Sequence, residues 1–143
     1  MPRVENEVII NAPAEQIYGY ISQPGNLPQI WPSLYERKDE KLLANGGYSF
    51  RWTYKMAGVH FTGNGECTEC VPNSVLSSKN SGPIDSMVTF TFRSKGMQTK
   101  VTLTIDYRVH LPLIGQLTEA VIHKMNEKEA ALILDNLRIR LEM

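Results

Sequence analysis

Two cysteines in a Cys-x-x-Cys, Cys67 and Cys70, and three histidines, His60, His110 and His123, are the residues best equipped for chemistry in this sequence. Cysteines so spaced can exchange disulfides or supply half of a metal site. A redox pair of that kind opens a helix, whereas the stretch Gly63-Asn64-Gly65-Glu66-Cys67-Thr68-Glu69-Cys70 reads as a strand. The histidines stand at no ligand spacing. Buried or half-buried structural thiols are therefore expected, with no metal or other cofactor implied. Acid–base work could draw on His60, Glu66, Asp106, Arg51 and Arg108. Strand parity sets these opposite the apolar residues of their strands, which predicts solvated outer-face charges, whereas Tyr107 has inward parity. Gly63-x-Gly65 is followed by Thr68 where a dinucleotide fingerprint needs glycine. P-loop, Gly-x-Ser-x-Gly and His-Glu-x-x-His motifs are absent.

What remains is an aromatic stripe. Tyr48, Phe50, Trp52 and Tyr54 alternate with Ser49, Arg51, Thr53 and Lys55, the period-two pattern of a half-buried antiparallel strand. Such a wall suits a ring-containing ligand. The residues expected to line a ligand cavity are Trp31, Phe50, Trp52, Tyr54, Phe61, Phe90, Tyr107 and Met125. Glu129 offers a polar handle. Phe61 belongs to the set because Gly63 and Gly65 share its parity and should leave room beside it.

These residues need a scaffold. Val4 to Asn11 reads as a first strand, and Asn11-Ala12-Pro13-Ala14-Glu15 as a helix start with Asn near the cap. Pro24-Gly25-Asn26 cuts that helix short, and Trp31-Pro32 stops a second short helix or turn. About six strands follow, of which the one through Val101, Leu103, Ile105, Tyr107 and Val109 reads as the longest. Pro112 closes them. A helix free of breakers is expected from Leu113 to Leu141. Ile114, Leu117, Val121 and Met125 form one stripe of it; Ala130, Ile133, Leu134, Leu137 and Leu141 form another, rotated around the axis. Asn126 and Glu129 fall toward the buried side. An apolar face on a curved sheet must be covered, and only the terminal helix is long enough to do it.

The 143 residues suit one domain, 1–143, able to bury a core without staples. A formal net charge of +0 gives no basic excess to meet phosphates, so no nucleic-acid partner is expected. The strongest apolar run, Ala130 to Leu134, is far short of the ~20 residues of a membrane helix. The acidic N-terminus does not read as a signal peptide. A cytoplasmic monomer or homodimer is expected, with a small apolar molecule as partner.

The segment Val8-Ile9-Ile10-Asn11-Ala12-Pro13-Ala14-Glu15-Gln16-Ile17-Tyr18 resembles the opening of START-like helix-grip proteins. Similar in the same way are the segment from Pro24 to Pro32, the strand from Thr99 to Tyr107, and the helix ending Asn136-Leu137-Arg138-Ile139-Arg140-Leu141-Glu142. The resemblance covers nearly the whole chain and is nearest to the polyketide cyclase/dehydrase-like branch. It implies an α+β fold, a curved antiparallel sheet of about seven strands around a C-terminal helix. It also implies an apolar cavity for lipids, polyketides or similar molecules, and no catalytic motif. Three functions stay open: binding of a small hydrophobic ligand, a cyclase or dehydratase acting by substrate positioning, and a protein-interaction module with a vestigial cavity.

Overall fold

Alternation along the strands sorts the apolar residues onto one face. In the strand from Gln98 to Val109, Val101, Leu103, Ile105 and Tyr107 are buried, while Arg108 is exposed. The computed structural model describes residues 2–23, 25–56, 58–110 and 118–142, apart from the side chain of Met56. Seven strands form one antiparallel sheet: β1 Arg3–Ile10, β2 Leu34–Leu42, β3 Tyr48–Met56, β4 Val59–Val71, β5 Val75–Ser81, β6 Ile84–Lys95 and β7 Gln98–Val109. Their order is β1-β7-β6-β5-β4-β3-β2, a meander from β2 to β7 with β1 added at the β7 edge. Asn73 (φ 63) and Gly96 (φ 65) adopt the left-handed conformation that tight turns between strands require. The longest strand is β4 with 13 residues, not β7 with 12.

Two short helices, α1 Ala14–Ile21 and α2 Leu27–Ile30, join β1 to β2. The cap of α1 is Pro13 rather than Asn11, with no side-chain hydrogen bond. Ile17, Tyr18 and Ile21 of α1 are buried, and Tyr18 meets Phe92 of β6 edge to face at 5.7 Å between ring centroids.

The long helix α3 spans Glu119–Leu141. Its expected start at Leu113, together with Pro112, Ile114 and Leu117, lies outside the described residues, as does Pro24. Thr118 is extended (φ −96, ψ 167), and its side chain accepts a hydrogen bond from the Val121 amide at 3.2 Å. The helix therefore begins at Glu119. Its buried face runs through Ile122: that residue is fully buried and Val121 exposed, so the expected stripe through Val121 is corrected. Ile122, Asn126, Ile133 and Leu137 lie on one continuous face with Ala130 and Leu134, without the rotation between two stripes.

At 23 residues α3 is roughly 35 Å long. It packs over β1 and β7 and against α2. Burying Ile122, Ile133 and Leu137 against Val101 and Leu103 contributes about 1.5–3 kcal/mol per side chain. The rest of the inner face, from β3 to β6, is left to α1, α2 and its own side chains. The sheet grips the helix at one side and stands open at the other.

Candidate functional site

Where α3 leaves the sheet uncovered, a cavity of about 140 Å³ opens. That is close to the size at which an apolar cavity takes up a benzene-sized ring. Its walls include Trp31, Phe50, Trp52, Tyr54, Phe61, Phe90 and Tyr107, seven of the nine residues singled out in the sequence. They come from the end of α2 and from β3, β4, β6 and β7, brought together by the antiparallel register.

Met125 and Glu129 are not among the wall residues. On a helix, Asn126 aims into the cavity, and its neighbours in sequence are turned about 100° away per residue. Met125 is half-buried against the core. Glu129 is buried, but its Oε1 accepts a hydrogen bond from the Ser33 amide at 2.6 Å, tying α3 to the start of β2. The room expected beside Phe61 is also filled. Gly65 pairs with Phe50 and Gly63 with Trp52 across β3 and β4, and the two rings lie over the bare glycines. Close packing of an aromatic ring on a cross-strand glycine replaces empty space with contact.

The polar groups on the wall are mostly neutral. The Tyr54 hydroxyl is pushed up to about 12, first by burial and then by the charge of Glu129. Trp31 meets Tyr54 edge to face at 6.3 Å, and its indole N–H is buried without a hydrogen-bond partner among the described residues. The Trp52 indole donates to the Asn64 carbonyl at 3.1 Å. Tyr107 holds its hydroxyl 2.7 Å from Nδ1 of His123, whose Nε2 lies 3.4 Å from Glu127. Burial raises the Tyr107 pKa, against the opposing effect of its bond with Asn126. This chain of groups leads from the cavity wall to the surface and has the parts for moving a proton.

Both cysteines also reach the wall. Period two would set Cys67 and Cys70 on opposite faces, but the register of β4 on β5 slips between Cys67 and Glu69. This bulge returns Cys70 to the inner face, where its thiol lies 2.7 Å from the Tyr18 hydroxyl. Burial pushes the Cys67 thiol up to about 11, so it is protonated and unreactive near neutral pH. Cys67 is buried and Cys70 half-buried, and both are free thiols. Arg37 of β2 is a further wall residue that parity did not reveal.

The charges expected on the outer face are found there. Arg51, His60, Glu66 and Arg108 are exposed, and Asp106 pairs with Arg3 at 2.6 Å. Among the described residues no three His, Cys, Asp or Glu side chains converge to hold a metal. No helix among them is long and apolar enough to cross a membrane.

Residues 1–142 match the family model described as polyketide cyclase / dehydrase and lipid transport. No curated protein sequence is significantly similar to the chain. Among solved structures, the chain is similar to the Zhui aromatase/cyclase from Streptomyces sp. R1128, at 18% identity and TM-score 0.82, covering 99% of this chain and 93% of that one. A START superfamily protein from Mycobacterium smegmatis superposes with TM-score 0.81 at 18% identity, covering 98% and 97%. A protein from Thermus thermophilus gives 0.76 at 24% identity, again covering 98% and 97%. Open seven-stranded sheet, gripped C-terminal helix and whole-length match agree, and the chain belongs to the polyketide cyclase/dehydrase and lipid transport family, with a START-like helix-grip fold.

Proposed function

We propose that the protein binds a small hydrophobic molecule, of lipid, polyketide or other aromatic or isoprenoid type, in the cavity between the sheet and α3. The observation that carries this reading is the cavity itself, walled by aromatic rings from four strands' worth of inner face and lined by polar groups that are neutral except for Arg37. Apolar walls with a few placed polar groups are the usual make-up of a small-molecule site. The family description, which joins cyclases to lipid transport, supports it. The reading takes residues 1–143 as one domain acting in the cytoplasm, as monomer or homodimer.

A second reading, a cyclase or dehydratase that works by holding its substrate in a reactive shape, is favoured by the Tyr107–His123–Glu127 chain at the wall. The aromatase/cyclase neighbour supports it by analogy of fold alone. An interaction module has less behind it. The cavity is open rather than filled, and the exposed apolar residues are dispersed: Tyr35 and Leu42 near the two ends of β2, Met97 in the turn between β6 and β7, and Ile139 on α3.

Native mass spectrometry of the purified protein, followed by a thermal-shift screen of fatty acids, quinones, flavonoids and aromatic polyketides, tests the first reading. Ligand at a hundredfold excess over its Kd stabilises the folded state by about 2.7 kcal/mol. A copurified adduct, or a saturable shift confined to one chemical class, supports ligand binding. A bare mass and a flat screen overturn it.

A further inference from the structure

At the β2 end of the cavity the chain buries a charge, and this location is explained by nothing in the packing of the fold. Period two would turn Arg37 and Glu40 to opposite faces of β2. The register of β2 on β3 slips between Lys38 and Lys41, where Asp39 has a φ of 55. Arg37 stands in register opposite Trp52 and faces inward with it, and the irregularity brings Glu40 in as well, leaving Arg37 only 7% and Glu40 15% exposed. The slip at Asp39 thus sets the Glu40 carboxylate beside a guanidinium that already faces inward.

The guanidinium carbon lies 3.8 Å from the centroid of the Phe50 ring, so the planar group is stacked and its orientation held. Its Nε is 3.0 Å from Glu40 Oε1, an ion-pair distance, yet the N–H is not aimed along that line and makes no hydrogen bond among the described residues. Glu40 Oε2 is likewise buried without a hydrogen-bond partner there. Burial lowers the Arg37 pKa, with Glu40 acting against it; a guanidinium nevertheless remains charged at any physiological pH. A buried cation with unused donors, facing an apolar cavity, is costly unless something completes its hydrogen bonds.

Resting on the reading of this cavity as a ligand site, we propose that Arg37 anchors the carboxylate of an otherwise apolar, ring-sized acid, with the ring lodged among Phe50, Trp52 and Phe61. The fork of a guanidinium matches the two oxygens of a carboxylate. One cation suits one negative charge, and Glu40 opposes a more highly charged head such as a phosphate dianion. Glu40 holds the guanidinium in the empty site and competes with the incoming acid for it.

The test is isothermal titration with 4-propylbenzoate and its neutral counterpart 4-propylbenzamide, on the natural chain and on Arg37→Gln, Arg37→Lys and Glu40→Gln. The expected result is a preference for the acid of about tenfold or more, the usual worth of a charge-assisted hydrogen bond. Arg37→Gln erases the preference, Arg37→Lys retains part of it, and Glu40→Gln tightens the acid severalfold while leaving the amide unchanged. Equal affinity for acid and amide, or a preference that survives in Arg37→Gln, overturns the proposal while leaving the apolar cavity as the ligand site. Should Arg37→Gln fail to fold, Glu40→Gln decides: unchanged or weaker acid binding there overturns it. Binding of neither probe, with a flat screen of neutral apolar compounds, overturns the cavity reading together with this one.

Discussion

The indole of Trp52 lies across the bare backbone of Gly63, its partner on β4, and leaves no room there for a Cβ atom. A methyl at that position would meet both the ring and the Ser81 carbonyl, and the backbone oxygen cannot step aside as a flexible side chain can. Gly63→Ala is therefore expected to destabilise the protein by about 1–3 kcal/mol. Gly19, on the exposed side of α1 with open space around it, supplies the contrast. There alanine is expected to stabilise by about 0.5–1 kcal/mol, because it lowers the backbone entropy lost on folding. Urea unfolding of the two variants measures both signs. Equal effects at the two glycines would refute close packing at Gly63.

Thr118 stands at the N-terminus of α3. Its side chain caps the helix, and its removal in Thr118→Ala should cost about 1 kcal/mol. For a chain of this length that corresponds to a fall in melting temperature of about 3 °C. Thr118→Ser keeps the hydroxyl and should lose much less. A melting temperature unmoved by alanine would show that the cap contributes nothing.

Glu129 separates an anchor from a ligand handle. Its bond to the Ser33 amide predicts that Glu129→Ala costs about 1–3 kcal/mol by leaving that donor unpaired, and that Glu129→Gln, which keeps an acceptor, costs less. Because the carboxylate is not on the cavity wall, affinity for an apolar ligand should stay as it is in both variants. Glu129→Gln also removes a charge that raises the Tyr54 pKa, so an ultraviolet titration should find that tyrosine ionising below about 12. A large loss of affinity in Glu129→Gln, with stability intact, would make Glu129 the handle after all.

These cases show where the sequence is legible and where it is not. The alternation of β3 marked Phe50, Trp52 and Tyr54 as inward because that face packs on the core, with Trp52 buried and Phe50 and Tyr54 half-buried. Parity counting assumes an unbroken register, however. A slip between Leu34 and Glu36 sets Arg37 opposite Trp52, and one near Thr68 turns Cys70 inward after Cys67, so parity placed neither on the wall. Neither slip has a glycine to announce it. On α3 the expected stripe through Val121 missed the buried face, which runs through Ile122 and Asn126 in step with Ala130, Ile133 and Leu137. Residues in the sheet were thus placed well wherever pairing was regular, and residues beside a bulge were not.

Alkaline titration offers a last test of how deeply the wall is buried. Cys67 rises from 9.0 to about 11 and Tyr54 from 10.0 to about 12, in both cases chiefly through burial. An acid whose pKa is raised on folding holds its proton more tightly in the folded state than in the unfolded one. The stability linked to Cys67 is accordingly whole below pH 9 and drains away as the pH climbs from 9 through 11, with Tyr54 following from 10 through 12. Melting temperature should be level between pH 7 and 9 so far as these groups are concerned, then fall steadily. In Cys67→Ser the first part of that fall should flatten, since serine does not titrate in this range, and the part owed to Tyr54 should remain. Alkylation by iodoacetamide gives an independent reading: Cys67 should be nearly inert at pH 8 in the folded protein and react readily in urea. Fast modification of Cys67 at pH 8 without denaturant would mean that the thiol is neither buried nor raised, and that the wall around it is open to water.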